Sequence, residues 1–298
     1  MAIKPVELRR SWLFVGGADR KALLDAATCG ADVAIQELED FTPPKRRPAA
    51  REMIAEVVAA WRSTGVVAGV RINKLGSVDG PLDLAAAMAA APDLISLPMV
   101  DTPAEIMTLA HEITRLEREH GLTPGVTEIL ACVETAHGLR LSFDICRASA
   151  RVTAAVVASE DLGADLGVER SREGGELRHA RERFLVDCVA AGTLPVDMPY
   201  TWVDAPGLEA DILTARALGF KAKTAVSNAH ATAINRLMTP SREETVQARR
   251  IVDAFEAART RGEGRVEVDG SLVEAPIYRT AKRIYQRAAA FAAAEQVE

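Results

Sequence analysis

The chain has 298 residues, 48% hydrophobic and 26% charged, with a formal net charge of −6. That supplies one large core or two modest ones. The acidic balance argues against a nucleic-acid binder, which carries a basic face, and no stretch approaches the ~18 apolar residues of a membrane span.

From the N-terminus, MAIKPVELRR is charged and has no apolar signal region, so the expected location is the cytoplasm. Short apolar runs then alternate with helix-like segments. In order they are SWLFVGG, DVAIQELED, VVAGVRIN, LISLPMV, TEILACVET, RVTAAVVASED, TLPVDMPY and KAKTAVS. Between them lie runs rich in Ala, Leu, Glu and Arg, such as Arg20–Thr28, Arg47–Arg62, Thr102–His120, Leu177–Ala191 and Gly207–Leu218. Near-continuous apolar strands separated by helices indicate a parallel sheet covered on both faces. Eight such units predict a (β/α)8 TIM barrel over residues 1–238, with a doubly wound open sheet as the alternative. A dinucleotide-binding fold has little support, because no GxGxxG follows the first strand and no GxxxxGK[ST] occurs. The glycine-rich GADLGVERSREGGE follows the sixth strand and reads as an active-site loop.

After about residue 238 the pattern changes. MTPSREETVQARRIVDAFEAARTRG opens with a capping-like SREE and continues as one helix. RVEVDGSLVEAP reads as a hairpin turning on Asp-Gly, and TAKRIYQRAAAFAAAEQ as a final helix. Residues 239–298 are therefore expected to form a lid or an oligomer contact.

Catalytic groups of a βα barrel lie at the C-terminal ends of its strands. Those positions form a polar set: Gly16-Gly17, then Glu37, Glu39 and Asp40, then Arg71 and Asn73, Met99, Glu134, Asp161, Asp197, and Ser227-Asn228. A buried unpaired carboxylate costs several kcal/mol, so a cation is the usual companion of such a group. If the fifth and sixth strands are neighbours, Glu134 and Asp161 stand about 5 Å apart at the sheet edge. That suits one hard cation with water and substrate in its remaining positions. Glu37 and Glu39 alternate about Leu38 and face one side of strand two. Arg71 can clamp a carboxylate or enolate through its fork of donors. Taken singly, Glu134 and Asp161 also read as helix-capping groups, Arg71 as a salt-bridged strand end, and His137 and His230 as structural residues. Lys45-Arg46-Arg47 reads equally as a local phosphate contact or a solvated loop. The four cysteines (Cys29, Cys132, Cys146, Cys188) lack CxxC spacing and read as small buried hydrophobes in a reducing compartment, and the five histidines lack zinc-site spacing.

RSWLFVGG, ELEDFTPPKRRPAAR, VRIN, ISLPMV, CVETAHGL and ASEDLGADLG occur in this order. Together with the GFK region, the PSREE helix and the Asp-Gly hairpin, they resemble the citrate lyase β-subunit-like acyl-CoA lyases of the aldolase/citrate lyase superfamily. The resemblance implies Mg²⁺ on Glu134 and Asp161, with Arg71 on the substrate's carboxylate or enolate oxygen. It also implies a trimer or hexamer, and cleavage of a CoA thioester such as malyl-CoA or citramalyl-CoA to a 2-oxo acid and an acyl-CoA. Glu37 and the lid residue Glu274 are the expected proton carriers. Glu39, Asp40, Lys45 and Arg46 are expected to bind substrate. The chain departs from the family pattern in ELED for DLED, in Met99 for a lysine, in Glu274 for an aspartate, and across 223–235. Two other readings therefore stay open: a metal-dependent aldolase on a free acid, and a non-catalytic binding paralogue.

Overall fold

The computed structural model describes residues 3–295. Eight parallel strands close into a barrel in the order β1 to β8. They are β1 (Ser11–Gly16), β2 (Val33–Glu37), β3 (Val67–Arg71), β4 (Leu94–Leu97), β5 (Glu128–Val133), β6 (Val152–Val157), β7 (Leu194–Asp197) and β8 (Ala222–Ala225). β1 closes the ring on β8 in the register Trp12 with Thr224. The fold is a (β/α)8 TIM barrel, as the alternation of apolar runs and helices predicts.

The strands are apolar throughout because both faces are buried. In β1, Trp12 and Phe14 point into the barrel and pack with Val33, Ile35, Leu130, Val156 and Ala222. Leu13 and Val15 point outward into the larger layer between barrel and helices. This is the period of two expected of a strand. Each fully buried Leu, Ile or Phe of these layers contributes about 1.5–3 kcal/mol relative to exposure. Glycine serves close approach at one functional corner. A Cβ on Gly17 would lie 2.5 Å from the Glu37 carbonyl, and the Gly17 amide donates to that carbonyl at 2.8 Å.

One segment differs from its predicted form. RVTAAVVASED is strand only to Val157, and Ser159–Leu166 is a helix that takes up SED and the first part of the glycine-rich segment. Glu160 and Asp161 occupy its first turn, where the helix dipole favours acids, and Gly167 ends it with φ +68°.

The chain divides into two compact units, the barrel through Met238 and a C-terminal unit from Thr239. The second unit begins with helix Arg242–Thr260, whose Ser241 and Glu244 form a capping box. A hairpin follows, β9 (Val266–Val268) with β10 (Ser271–Val273). It turns on Asp269 and Gly270, both at positive φ, which is the backbone an Asp-Gly hairpin turn requires. Helix Ala275–Glu295 closes the unit. Tyr278 stacks on Phe255 with ring centroids 4.7 Å apart. Among the described residues no helix is long and apolar enough to cross a membrane.

Candidate active site

The C-terminal ends of the strands surround a cavity of about 250 Å³, and Phe14, Asp40, Phe41, Arg71, Cys132, Glu134 and Asp161 are among its lining residues. Arg71 is its electrostatic centre. The side chain ends β3 and is almost wholly buried. Four carboxylates lie within ion-pair distance: Glu37 at 2.9 Å, Glu39 at 2.9 Å, Asp40 at 3.2 Å and Glu134 at 3.6 Å. The guanidinium also lies over the rings of Phe14 and Phe41, 5.6 and 5.8 Å from their centroids. Burial favours the neutral form, but the carboxylates led by Glu37 outweigh it, and the arginine pKa is raised above its usual value.

β5 and β6 are neighbours, with Val133 opposite Val157. Glu134 follows β5 directly. One of its oxygens accepts from the Met99 amide at 2.6 Å and the other faces Arg71. Asp161 also lines the cavity. It is presented not by a strand end but by the first turn of helix Ser159–Leu166, four residues beyond β6. Burial pushes Glu134 up to about 7, and the Asp161 and Asp40 charges push the same way against Arg71 and the Met99 amide. Burial and the charge of Asp40 also raise Asp161. Glu39 is pushed up to about 8 by burial, with Asp40 adding to the rise.

The site thus holds more negative charge than one arginine neutralises. That is the condition a bound cation relieves. Among the described residues no group of three or more His, Cys, Asp or Glu side chains gathers into a metal cage. One oxygen donor following β5 and one from the helix after β6, with open cavity beside them, suit Mg²⁺, which keeps several waters and takes one or two carboxylates.

The other expected site residues fall into three places. Glu37 is fully buried behind Arg71 and does not line the cavity. One of its oxygens accepts from Arg71 and the Glu39 amide, the other from the Phe41 amide. With its acceptors engaged, it holds Arg71 rather than standing free as a proton carrier. Lys45 is exposed on the turn Pro44–Arg46, and Arg46 donates to the Ala18 carbonyl at 2.6 Å, so neither is on the cavity wall. Glu274 belongs to the C-terminal unit, exposed just before its last helix.

Asp197, one of the polar strand ends, points outward. It receives Arg181 at 2.9 and 2.7 Å and Lys223 at 2.7 Å, and Asp211 completes the group. His230 is buried on helix Asn228–Met238 and is not part of the cavity wall.

Two contributions lie outside the roles the sequence predicts. Met99 has φ +50°, a left-handed conformation uncommon for a side chain of its size, and offers its backbone amide to Glu134. No side-chain pattern encodes that. Phe14 could have been found by parity, because it shares the inward side of β1 with Trp12. Cys132 lines the cavity 3.2 Å from the Ser96 hydroxyl. Burial, with Glu134 adding to it, raises its pKa, so the group stays a thiol and offers no thiolate nucleophile.

Comparison with known proteins agrees with this geometry. Residues 10–229 match the family model described as HpcH/HpaI aldolase/citrate lyase. Citrate lyase subunit beta of Escherichia coli K12 is 31% identical over 281 residues, covering 94% of this chain and 93% of that one. L-malyl-CoA/beta-methylmalyl-CoA lyase of Cereibacter sphaeroides is 29% identical, covering 95% and 96%. The crystal structure of protein CitE from Mycobacterium tuberculosis, in complex with magnesium, acetoacetate and coenzyme A, superposes with a TM-score of 0.75 at 28% identity, covering 94% of this chain and 98% of that one. The chain belongs to the HpcH/HpaI aldolase/citrate lyase family.

Proposed function

We propose that the protein is a Mg²⁺-dependent carbon–carbon lyase that cleaves or forms a 3-hydroxyacyl unit, carried as a CoA thioester, to give a 2-oxo acid and an acyl-CoA. The observation that carries this reading is the surplus of carboxylate around one buried arginine, with Glu134 after β5 and Asp161 on the helix after β6 lining the same cavity. Family membership and the ligands of the CitE complex support it.

Glu134 and Asp161 would hold the metal, which when bound would polarise the oxygen that is the 3-hydroxyl of the thioester before cleavage and the carbonyl of the 2-oxo acid after it. Arg71 supplies fixed positive charge where oxyanion charge develops, and Glu37, Phe14 and Phe41 prevent its reorientation. The Met99 amide fixes the second oxygen of Glu134. Phe14 and Val156 make part of the wall apolar, which limits water near the reacting carbon. Within the barrel unit, Asp40 is a cavity carboxylate left to take the proton from the 3-hydroxyl. Glu274 is the candidate from the C-terminal unit, acting in a homo-oligomer.

Retro-aldol assays on malyl-CoA and citramalyl-CoA beside the free acids, with and without Mg²⁺, test the reading. Mg²⁺-dependent release of a 2-oxo acid from a thioester is the expected result. Turnover of free acids alone would move the protein to the aldolase reading. Binding without turnover across the panel would make it a binding paralogue. Comparing Asp40→Asn with Glu274→Gln separates the two proton carriers.

A further inference from the structure

We infer that the Thr224 hydroxyl is a substrate contact that selects acids bearing an oxygen at the end remote from the 2-oxo group. This deepens the lyase reading and rests on it. β8 alternates like the other strands. Ala222 faces the barrel interior, and Lys223 faces outward to Asp197 and Asp211. Thr224 therefore shares the inward side with Ala222, one step nearer the cavity it lines. The residue is only 6% exposed, and its hydroxyl is buried with no hydrogen-bond partner among the described residues. Phe14 and Val156, which share the inward layer with Ala222, and Val226, two residues further along the chain, offer no polar side-chain atom.

A buried hydroxyl without a partner costs about 1–3 kcal/mol, and valine fills the same shape without that cost. A bound ligand supplies the missing partner. In the closed ring, β8 stands three strands from β3, which carries Arg71, and three from β5, which leads into Glu134. With the 2-oxo acid end held at those groups, Thr224 meets the remainder of the molecule. It donates to a carbonyl or carboxylate oxygen there. An analogue with a methyl group in that place would leave the hydroxyl unpaired, and sites built this way discriminate more strongly than apolar ones.

The test titrates wild type, Thr224→Val and Thr224→Ser with pyruvate and with oxaloacetate, at saturating Mg²⁺, by calorimetry, beside a thermal melt of each. Pyruvate fills only the 2-oxo acid end, whereas oxaloacetate adds a remote carboxylate. Thr224→Val is expected to weaken oxaloacetate about tenfold or more, to leave pyruvate within about twofold, and to melt no lower than wild type. Thr224→Ser is expected to restore oxaloacetate binding. Unchanged oxaloacetate affinity in Thr224→Val, an equal loss for both acids, or no rescue by serine would overturn the contact while leaving the lyase reading intact. If wild type binds neither acid with Mg²⁺, the lyase reading fails and the contact falls with it.

Discussion

Two clusters of buried charge stand at the strand ends of this barrel, and they differ in balance. Outside, Arg181 and Lys223 meet Asp197 and Asp211, two cations for two anions, with the lysine also donating to the Met198 carbonyl at 2.6 Å. Inside, one arginine meets four carboxylates, and Asp161 lines the same cavity. A balanced network needs nothing further and ties β7 and β8 to helices Arg178–Ala191 and Ala205–Leu218. An unbalanced one is costly until a cation arrives. Burial of charge therefore does not mark the site. Its sign imbalance does.

Four experiments sharpen or break that contrast. The largest effect is expected outside. Asp197→Ala leaves Asp211 as the one anion for the two buried cations Arg181 and Lys223 and should cost about 3–5 kcal/mol in denaturant unfolding. The Mg²⁺-dependent rise in Tm of whatever folds should remain. A loss below about 1 kcal/mol would mean that the outer network is not the structural one.

Inside, Glu134→Gln should cost little stability without metal, because it removes one of several like charges. It should lower turnover at least about a hundredfold and abolish the rise in Tm with Mg²⁺ that mass action gives the wild type. A retained Mg²⁺ shift would remove Glu134 from the metal site.

The clusters should also respond to pH with opposite sign. Glu134 and Glu39, raised by burial to about 7 and about 8, bind protons more tightly folded than unfolded. An unfolded glutamate titrates near about 4.3, so without Mg²⁺ stability should fall as pH rises from there through 7 to 8. Excess Mg²⁺ should flatten that fall, and Glu134→Gln should reduce it. Asp211 behaves the other way. Burial pushes it up, but Lys223 and Arg181 outweigh burial and hold it below the ordinary range. Its contribution is complete above the unfolded value of about 3.9 and is lost as pH falls through the folded one. Melts in chelator across pH 5–8 that rise rather than fall would contradict the inner half of the comparison.

The smallest effect is expected at Met99. Its amide, not its side chain, holds Glu134. Met99→Ala should keep stability within about 1 kcal/mol and leave the Mg²⁺ shift in place. A lost shift would assign the role to the thioether side chain.

Several features were legible without coordinates because they rest on local periodicity. Eight apolar runs spaced by helices imply a two-sided parallel sheet. The Asp-Gly dipeptide implies the C-terminal hairpin. Glu134 and Arg71 stand out because charge is rare at the end of an apolar run. Other features needed the fold. Asp197 and Glu134 look alike in the chain, each a carboxylate closing an apolar strand. Only the direction of the side chain sends one to the helices and the other to the cavity. Glu37 likewise looks like a base until its acceptors are seen to be taken by Arg71 and two amides. The Met99 amide and the unpaired Thr224 hydroxyl leave no mark in composition or spacing. The sequence by itself determined which segments are strands and where charge must be accommodated, because both follow from burial along the chain. The tertiary structure alone decided which charges meet partners and which face an open cavity, because pairing depends on side chains that lie far apart in sequence.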